Sequence, residues 1–271
     1  MTTTDSNPLS ERNLSDIAGK DRRLSGVRAA VLGSTSGIGR ATALALADRG
    51  ADVIVHGRRS SRAAETIAEE IRARGVRSIV LPADLADRAQ GDRLAEEAWN
   101  CWGGLDAWLH FAGADTLTGA NAALGFDAKL DLLLSVDVVA SIRLCRAIGR
   151  KMKERGAGSI VTMGWDQAET GMEGDSGELF AAIKGAVVSF TKSLSLSLAP
   201  EVRVNAVAPG WIKTSWGENA SDPWQKRVLR ETPLHRWGTP EDIARIACFL
   251  VGPESSFLTG QVYRVNGGAV R

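Results

Sequence analysis

Gly33-Ser34-Thr35-Ser36-Gly37-Ile38-Gly39 joins the apolar run Val27–Leu32 to the Ala- and Leu-rich stretch Ile38–Arg49. The run is short and unbroken, as expected of a strand buried on both faces. The stretch after it has helical spacing and ends before Gly50. A strand that turns through glycines into a helix lets the backbone approach a pyrophosphate, whose charge the helix N-terminus favours. The spacing is G-x-x-x-G-x-G, not the commoner G-x-G-x-x-G, so the strand-to-helix context carries more of the argument than the glycines do.

Working outward from this turn, the same alternation recurs. Further strands are expected at Asp52–His56, Ser78–Leu81, Ala107–Phe111, Ser159–Met163, Val202–Val207 and Gln261–Val265. Helices are expected at Arg62–Arg74, Arg88–Trp99, Phe126–Arg155, Glu178–Leu198 and Pro240–Val251. With no hairpin signals between them, these elements describe an α/β protein. The expected architecture is a single-domain, doubly wound parallel sheet of the Rossmann type, about seven strands with helices on both faces.

That domain spans residues 24–271, with Pro209–Trp237 as its only long irregular segment. A segment of that length, rich in Trp, Pro and Gly, reads as a substrate lid. Residues 1–23 are polar and have no apolar run, so they read as a flexible extension and not as a signal peptide or anchor.

Composition narrows the function. The 271 residues carry a net charge of +1, which gives no reason to expect nucleic acid or an anionic membrane as partner. No apolar stretch reaches the roughly 18 uncharged residues of a bilayer span. Cys101, Cys145 and Cys248 are scattered and odd in number, fitting buried thiols in a cytoplasmic protein. No His, Cys and carboxylate spacing suggests a metal site.

With the glycine turn and this alternation, the chain resembles the short-chain dehydrogenase/reductase family from Leu24 to about Val270. Asp84-Leu85 ends the third strand, where the resemblance implies a contact to adenine. Ala112-Gly113 matches the end of the family's N-x-A-G element, with His110 in place of its Asn. Arg203 to Gly210 is similar to the segment that passes the nicotinamide, implying roles for Pro209 and Gly210. Ile212 and Thr214 follow where the carboxamide is held. Thr259-Gly260-Gln261 and Asn266-Gly267-Gly268 resemble the terminal strand and its turn. The resemblance also implies a homotetramer, or a homodimer, built on the two long helices and the last strand.

The second strand ends in His56-Gly57-Arg58-Arg59, without the carboxylate that would bind a ribose 2′-hydroxyl. Charge therefore favours NADP (NADPH) over NAD, with Arg58 and Arg59 as ligands of the 2′-phosphate.

The family works with an Asn-Ser-Tyr-Lys set. Aligned by motif, its positions fall at Asp137, Trp165, Phe180 and Lys184, and only the lysine is retained. Phe180 and Lys184 lie four apart on one helical face, but a phenyl ring has no proton to donate. No displaced phenol can substitute, because the single tyrosine, Tyr263, belongs to the last strand. A positioned general acid is worth about 10²–10⁴-fold in rate, so ordinary tyrosine-driven ketone reduction is not expected.

Carboxylates are the candidate replacements. Asp166 follows the serine position directly and is the first choice, with burial expected to raise its pKa. Glu169, Asp175 and Glu178 share its loop. Asp137 has the better claim to burial and could pair with Lys184, structurally or catalytically. Trp165, Trp211, Trp216 and Trp224 crowd the same region. They suit either a flat aromatic or heterocyclic small-molecule substrate or simple packing. Three functions stay open: an NADP-dependent oxidoreductase with an atypical site, reducing an imine-like or heterocyclic substrate; an inactive dinucleotide-binding sensor or assembly protein; or a lyase or isomerase using Asp166 or Asp137 as base.

Overall fold

Short runs of Val, Ile, Leu and Ala build the sheet: β1 (Arg28–Leu32), β2 (Asp52–Val55), β3 (Ser78–Val80), β4 (Ala107–His110), β5 (Gly158–Met163), β6 (Val202–Pro209) and β7 (Val262–Val265). The computed structural model describes residues 23–59 and 61–270. The expected N-terminal extension lies outside them except for Arg23, which pairs with Glu254 at 3.1 Å.

The strands are all parallel, in the order β3-β2-β1-β4-β5-β6-β7. The order reverses between β1 and β4, and in open parallel sheets a crevice forms at that reversal, beyond the strands' carboxyl ends. Register aligns those ends, since Leu32 is opposite His110 and Val31 opposite Val55.

Helices cover both faces because each strand is apolar on both. On one face lie α1 (Gly37–Asp48), α2 (Arg62–Arg72) and α9 (Pro240–Val251), whose Leu46, Ile67 and Ile243 share one core. On the other, α3 (Arg88–Asn100), α5 (Ala140–Arg155) and α6 (Asp175–Leu198) enclose Leu94, Leu144, Ile148 and the fully buried Trp108. α6 is long and apolar enough to cross a bilayer by composition, yet it packs on β5, β6 and α5 and carries Lys184 and Lys192.

Three expectations need correction. The stretch Phe126–Arg155 is not one α-helix: α4 (Phe126–Leu133) passes through a π-helical segment, Leu134–Val139, before α5 begins. A π segment widens the helix locally and re-aims its side chains, often at functional sites. The segment expected as a lid is less irregular than its composition suggested, holding α7 (Ser215–Glu218) and α8 (Asp222–Glu231), the latter starting with a proline in its first turn. Finally, Cys101 is exposed, and only Cys145 and Cys248 are buried.

Candidate active site

A cleft of about 920 Å³ opens at the strand-order reversal. Its floor begins at the turn after β1. Gly33 has φ +76, and a Cβ there would come within 2.7 Å of Ala112 Cα, so only glycine fits between the β1 and β4 ends. At Gly39 a Cβ would run into the Gly33 carbonyl, so the first turn of α1 can lie directly on the glycine turn. The N-cap Ser36 makes no side-chain capping bond, which leaves the amides at the start of α1 without that partner. An oxyanion suits such a terminus.

The structure brings most of the anticipated residues to this cleft. Thr35, Ser36, Gly37 and Ile38 line it with Gly33 and Gly39. Arg58, Asp84 and Leu85 form one wall, and Ala112, Gly113 and Thr214 others. Thr214 reaches the turn, its Cγ2 being 3.4 Å from where a Gly37 Cβ would stand. Asp137, Phe180 and Lys184 complete the far end, beside Met163 and Val136.

Seven expected residues do not line it. Ser34 is fully buried and turned to β2, its hydroxyl accepting from the His56 amide at 2.9 Å. Arg59 is exposed, beyond the wall that Arg58 forms. Pro209 ends β6 and Gly210 follows it, where a Gly210 Cβ would meet Asn266 Cα at 2.9 Å. Ile212 is buried in the core beside Gly238. Trp165 and Asp166 are the remaining two.

Asp166 is the main correction. Its carboxylate is 1 % exposed and accepts from Asn266 Nδ2 at 3.0 Å, on the side away from the cleft. Trp165, its neighbour, meets Phe180 edge-on at 6.3 Å between ring centres, whereas Asp166 begins the turn after β5 and bonds Asn266 near the C-terminus. Burial pushes its pKa up to about 6, while the Asn266 bond pulls the other way. The raised pKa expected of a buried carboxyl is there, but on a side chain that does not line the cleft. Glu169 pairs with Arg264 at 2.6 Å, and Asp175 and Glu178 are exposed in the first turn of α6.

The tryptophans also differ from the substrate-binding option. Trp211 stacks on Trp216 with centres 6.0 Å apart, and Trp224 closes on them at 5.4 and 5.6 Å. Trp237 joins at 6.0 Å from Trp216. The indoles pack on one another and not on the cleft, and the guanidinium of Arg227 lies 4.8 Å over Trp224.

At the cleft's far end, Lys184 Nζ lies 2.8 Å from Asp137 Oδ2, with both side chains nearly buried. The other carboxylate oxygen accepts from the Ala114 amide at 2.8 Å. Asp137 sits in the π segment, and its backbone oxygen accepts from Ser141 Oγ. Both carboxylate oxygens thus have N–H partners, so burial leaves neither of them unsatisfied.

His110 is fully buried and neither ring nitrogen has a partner; burial first, then the nearby His56 and Lys184, push its pKa down to about 3. It does not line the cleft. Motif reading missed His56, which does. Its ring bonds the Gly33 amide and the Ala83 carbonyl, and burial lowers its pKa to about 4. Its place at the end of β2 was the only signal the sequence offered.

Among the described residues no His, Cys, Asp and Glu group could hold a metal. The cleft has the shape and donors for a dinucleotide: a glycine turn at a helix start, a basic residue after β2 and a buried lysine at the far end.

Residues 33–270 match the family model described as "Enoyl-(Acyl carrier protein) reductase". The chain is 35% identical to a 3-oxoacyl-[acyl-carrier-protein] reductase of Synechocystis sp., over 89% of this chain and 96% of the relative. It is 34% identical to a cyclohexanol dehydrogenase of Rhodococcus sp., over 90% and 96% of the two chains. Among solved structures it resembles a short chain dehydrogenase from Burkholderia cenocepacia in complex with NADP, with TM-score 0.82 and 32% identity, covering 91% and 99%.

Proposed function

From a chain that belongs to the short-chain dehydrogenase/reductase family of oxidoreductases, we propose an NADPH-dependent reductase that works without a phenolic proton donor. The observation that carries this reading is the buried Asp137–Lys184 pair at 2.8 Å, beside Phe180, in a chain whose only tyrosine is in β7.

In this reading the amides at the start of α1 hold the pyrophosphate, and Asp84 and Leu85 border the adenosine. Arg58 favours a 2′-phosphate, since the end of β2 offers no carboxylate to a ribose hydroxyl. Lys184, with two N–H groups left after its bond to Asp137, holds the nicotinamide ribose. Bound nicotinamide supplies hydride; the protein supplies geometry and electrostatics.

What Phe180 withholds selects the substrate. Reducing a ketone produces an alkoxide that needs a proton, and the ring has none to give. An iminium already carries its proton, and hydride addition leaves a neutral amine. The Asp137 carboxylate would stabilise such a cation, and Phe180, Met163 and Val136 would give it an apolar wall. The substrate class is therefore an imine-like or heterocyclic small molecule, inferred from Asp137 and Phe180 and not from the stacked indoles.

A coenzyme sensor is the second reading, favoured by one observation: the cleft retains its dinucleotide cradle while its only lysine-partnered acid is locked in an ion pair. Calorimetry with NADPH and NADH, followed by incubation with cyclic imines and ketones, separates the two. Tighter NADPH binding and loss of NADPH with imines support the reductase. NADPH binding with no turnover by any compound supports the sensor.

We further take the protein to assemble as a homotetramer or homodimer, since Phe257 is 100% and Leu196 83% exposed. Light scattering on the purified protein would return a monomer mass if this is wrong.

A further inference from the structure

We propose that His56 is a positioning residue for the dinucleotide cradle, its imidazole tying the glycine turn after β1 to the end of β3. The inference rests on the cofactor reading above and adds to it the residue that holds two of the cleft's walls together.

Four hydrogen bonds make the tie. The Gly33 amide donates to His56 Nδ1 at 3.1 Å, so Nδ1 must be the acceptor and Nε2 carries the ring hydrogen. That hydrogen points to the Ala83 carbonyl, 3.1 Å away. On the backbone, the Ser34 amide donates to the His56 carbonyl at 3.0 Å, and the His56 amide donates to Ser34 Oγ at 2.9 Å. The residue is 3% exposed, so no water replaces a lost bond cheaply.

The anchored groups are the ones that matter for a dinucleotide. Gly33 opens the turn beneath the pyrophosphate position, and Ala83 directly precedes Asp84, which lines the adenosine side. Ala83 also donates its amide to the Gly57 carbonyl at 3.1 Å, so the β2 and β3 ends move together. A buried histidine is more often an ordinary core residue than a functional one. Here both ring bonds go to backbone groups that border the cleft, and the neutral tautomer is the only form that makes both. Protonation would turn Nδ1 from acceptor to donor against the Gly33 N–H and set the turn loose.

Titratable or charged groups near the ring are His110 from β4, Asp84 beyond Ala83, and Arg58 two residues along. A variant that leaves all three in place therefore isolates His56. His56→Asn retains an acceptor for the Gly33 amide and cannot titrate. His56→Leu removes both ring bonds.

Calorimetric titration of NADP+ between about pH 3.5 and 7 tests this, a window that spans the lowered His56 pKa of about 4. Expected for the wild type is affinity that holds near neutrality and falls as pH approaches about 4. His56→Asn should bind within about threefold of wild type at neutral pH and show a flattened pH profile. His56→Leu should bind about tenfold or more weakly. If His56→Leu does not fold, the His56→Asn profile carries the test alone. The proposal is overturned if His56→Leu binds as wild type, or if the wild-type and His56→Asn pH profiles coincide. A wild type that binds neither coenzyme would overturn the cofactor reading itself, a result distinct from unchanged binding by the variants.

Discussion

Lys184 Nζ and Asp137 Oδ2 lie 2.8 Å apart at the inner end of the cleft, an aspartate from a π-helical turn meeting a lysine from the long helix α6. Removing one member leaves the other charged and buried, which typically costs about 3–5 kcal/mol. Asp137→Ala should therefore lower unfolding free energy by that order. Asp137→Asn should cost less, because an amide oxygen can still accept from Lys184. Urea unfolding of the two variants gives the comparison, and equal losses would mean that charge at this position does not matter.

Phe180, which lines the cleft, and Trp165, which does not, stand edge to face with ring centres 6.3 Å apart. Phe180→Tyr combined with Trp165→Ser puts a phenol one helical turn from Lys184 with a hydroxyl nearby. The double variant should gain ketone reduction by about 10²–10⁴-fold over wild type. NADPH consumption with a panel of cyclic ketones measures it. No gain would mean that the cleft around Phe180 no longer admits a ketone in reach of the phenol.

Acid should destabilise the protein through its buried histidines. The pKa of His56 falls to about 4 and that of His110 to about 3, against an ordinary value near 6.5, with burial the main cause in both. Both are lowered in the folded state, so the unfolded chain binds more protons between these values and about 6.5. Stability is then fully present above that range and is lost as pH falls through it. Thermal unfolding should drop steeply between about pH 6.5 and 4, and His56→Asn should make the drop shallower.

Asp166 has the opposite sign. Its folded pKa is raised to about 6, so the folded state holds the extra proton below that value. Its burial costs stability as pH rises from about 4 through 6. Asp166→Asn removes this cost and should narrow the difference from wild type as pH falls. Turnover should be retained, because the side chain bonds Asn266 and does not line the cleft. Loss of turnover with unchanged NADPH affinity would return Asp166 to the chemistry.

Coenzyme choice should follow Arg58, which is exposed and lines the cleft where Arg59 does not. A charge-assisted bond to a 2′-phosphate is worth enough to change affinity about tenfold. Arg58→Ala should weaken NADPH by that factor and leave NADH nearly unchanged, and the same substitution at Arg59 should do less. Parallel titrations with both coenzymes decide it.

Much of the fold was legible because strand and helix periods alternate cleanly from Val27 to Val265, and seven parallel strands follow from that alternation. Lys184 and Asp137 were legible as neighbours through motif position. The π segment was not, because Leu-Ser-Val-Asp-Val-Val at 134–139 reads as ordinary helix. Helix α8 was hidden by its Trp and Pro, which sequence reading takes for loop, although a proline in the first turn is a helix start. Asp166 was misplaced because adjacency to Trp165 suggested a shared environment, whereas the chain turns at Asp166 and its carboxylate meets Asn266. His56 gave only its place at the end of β2, since its bonds to the Gly33 amide and the Ala83 carbonyl form across three strand ends far apart in sequence.

Single-turnover mixing of the wild-type protein with NADPH, against a cyclic iminium and its ketone counterpart, tests the central claim most directly. The account predicts rapid loss of NADPH absorbance with the iminium and none above background with the ketone. Equal or faster reduction of the ketone by a chain with Phe180 at the centre would contradict it.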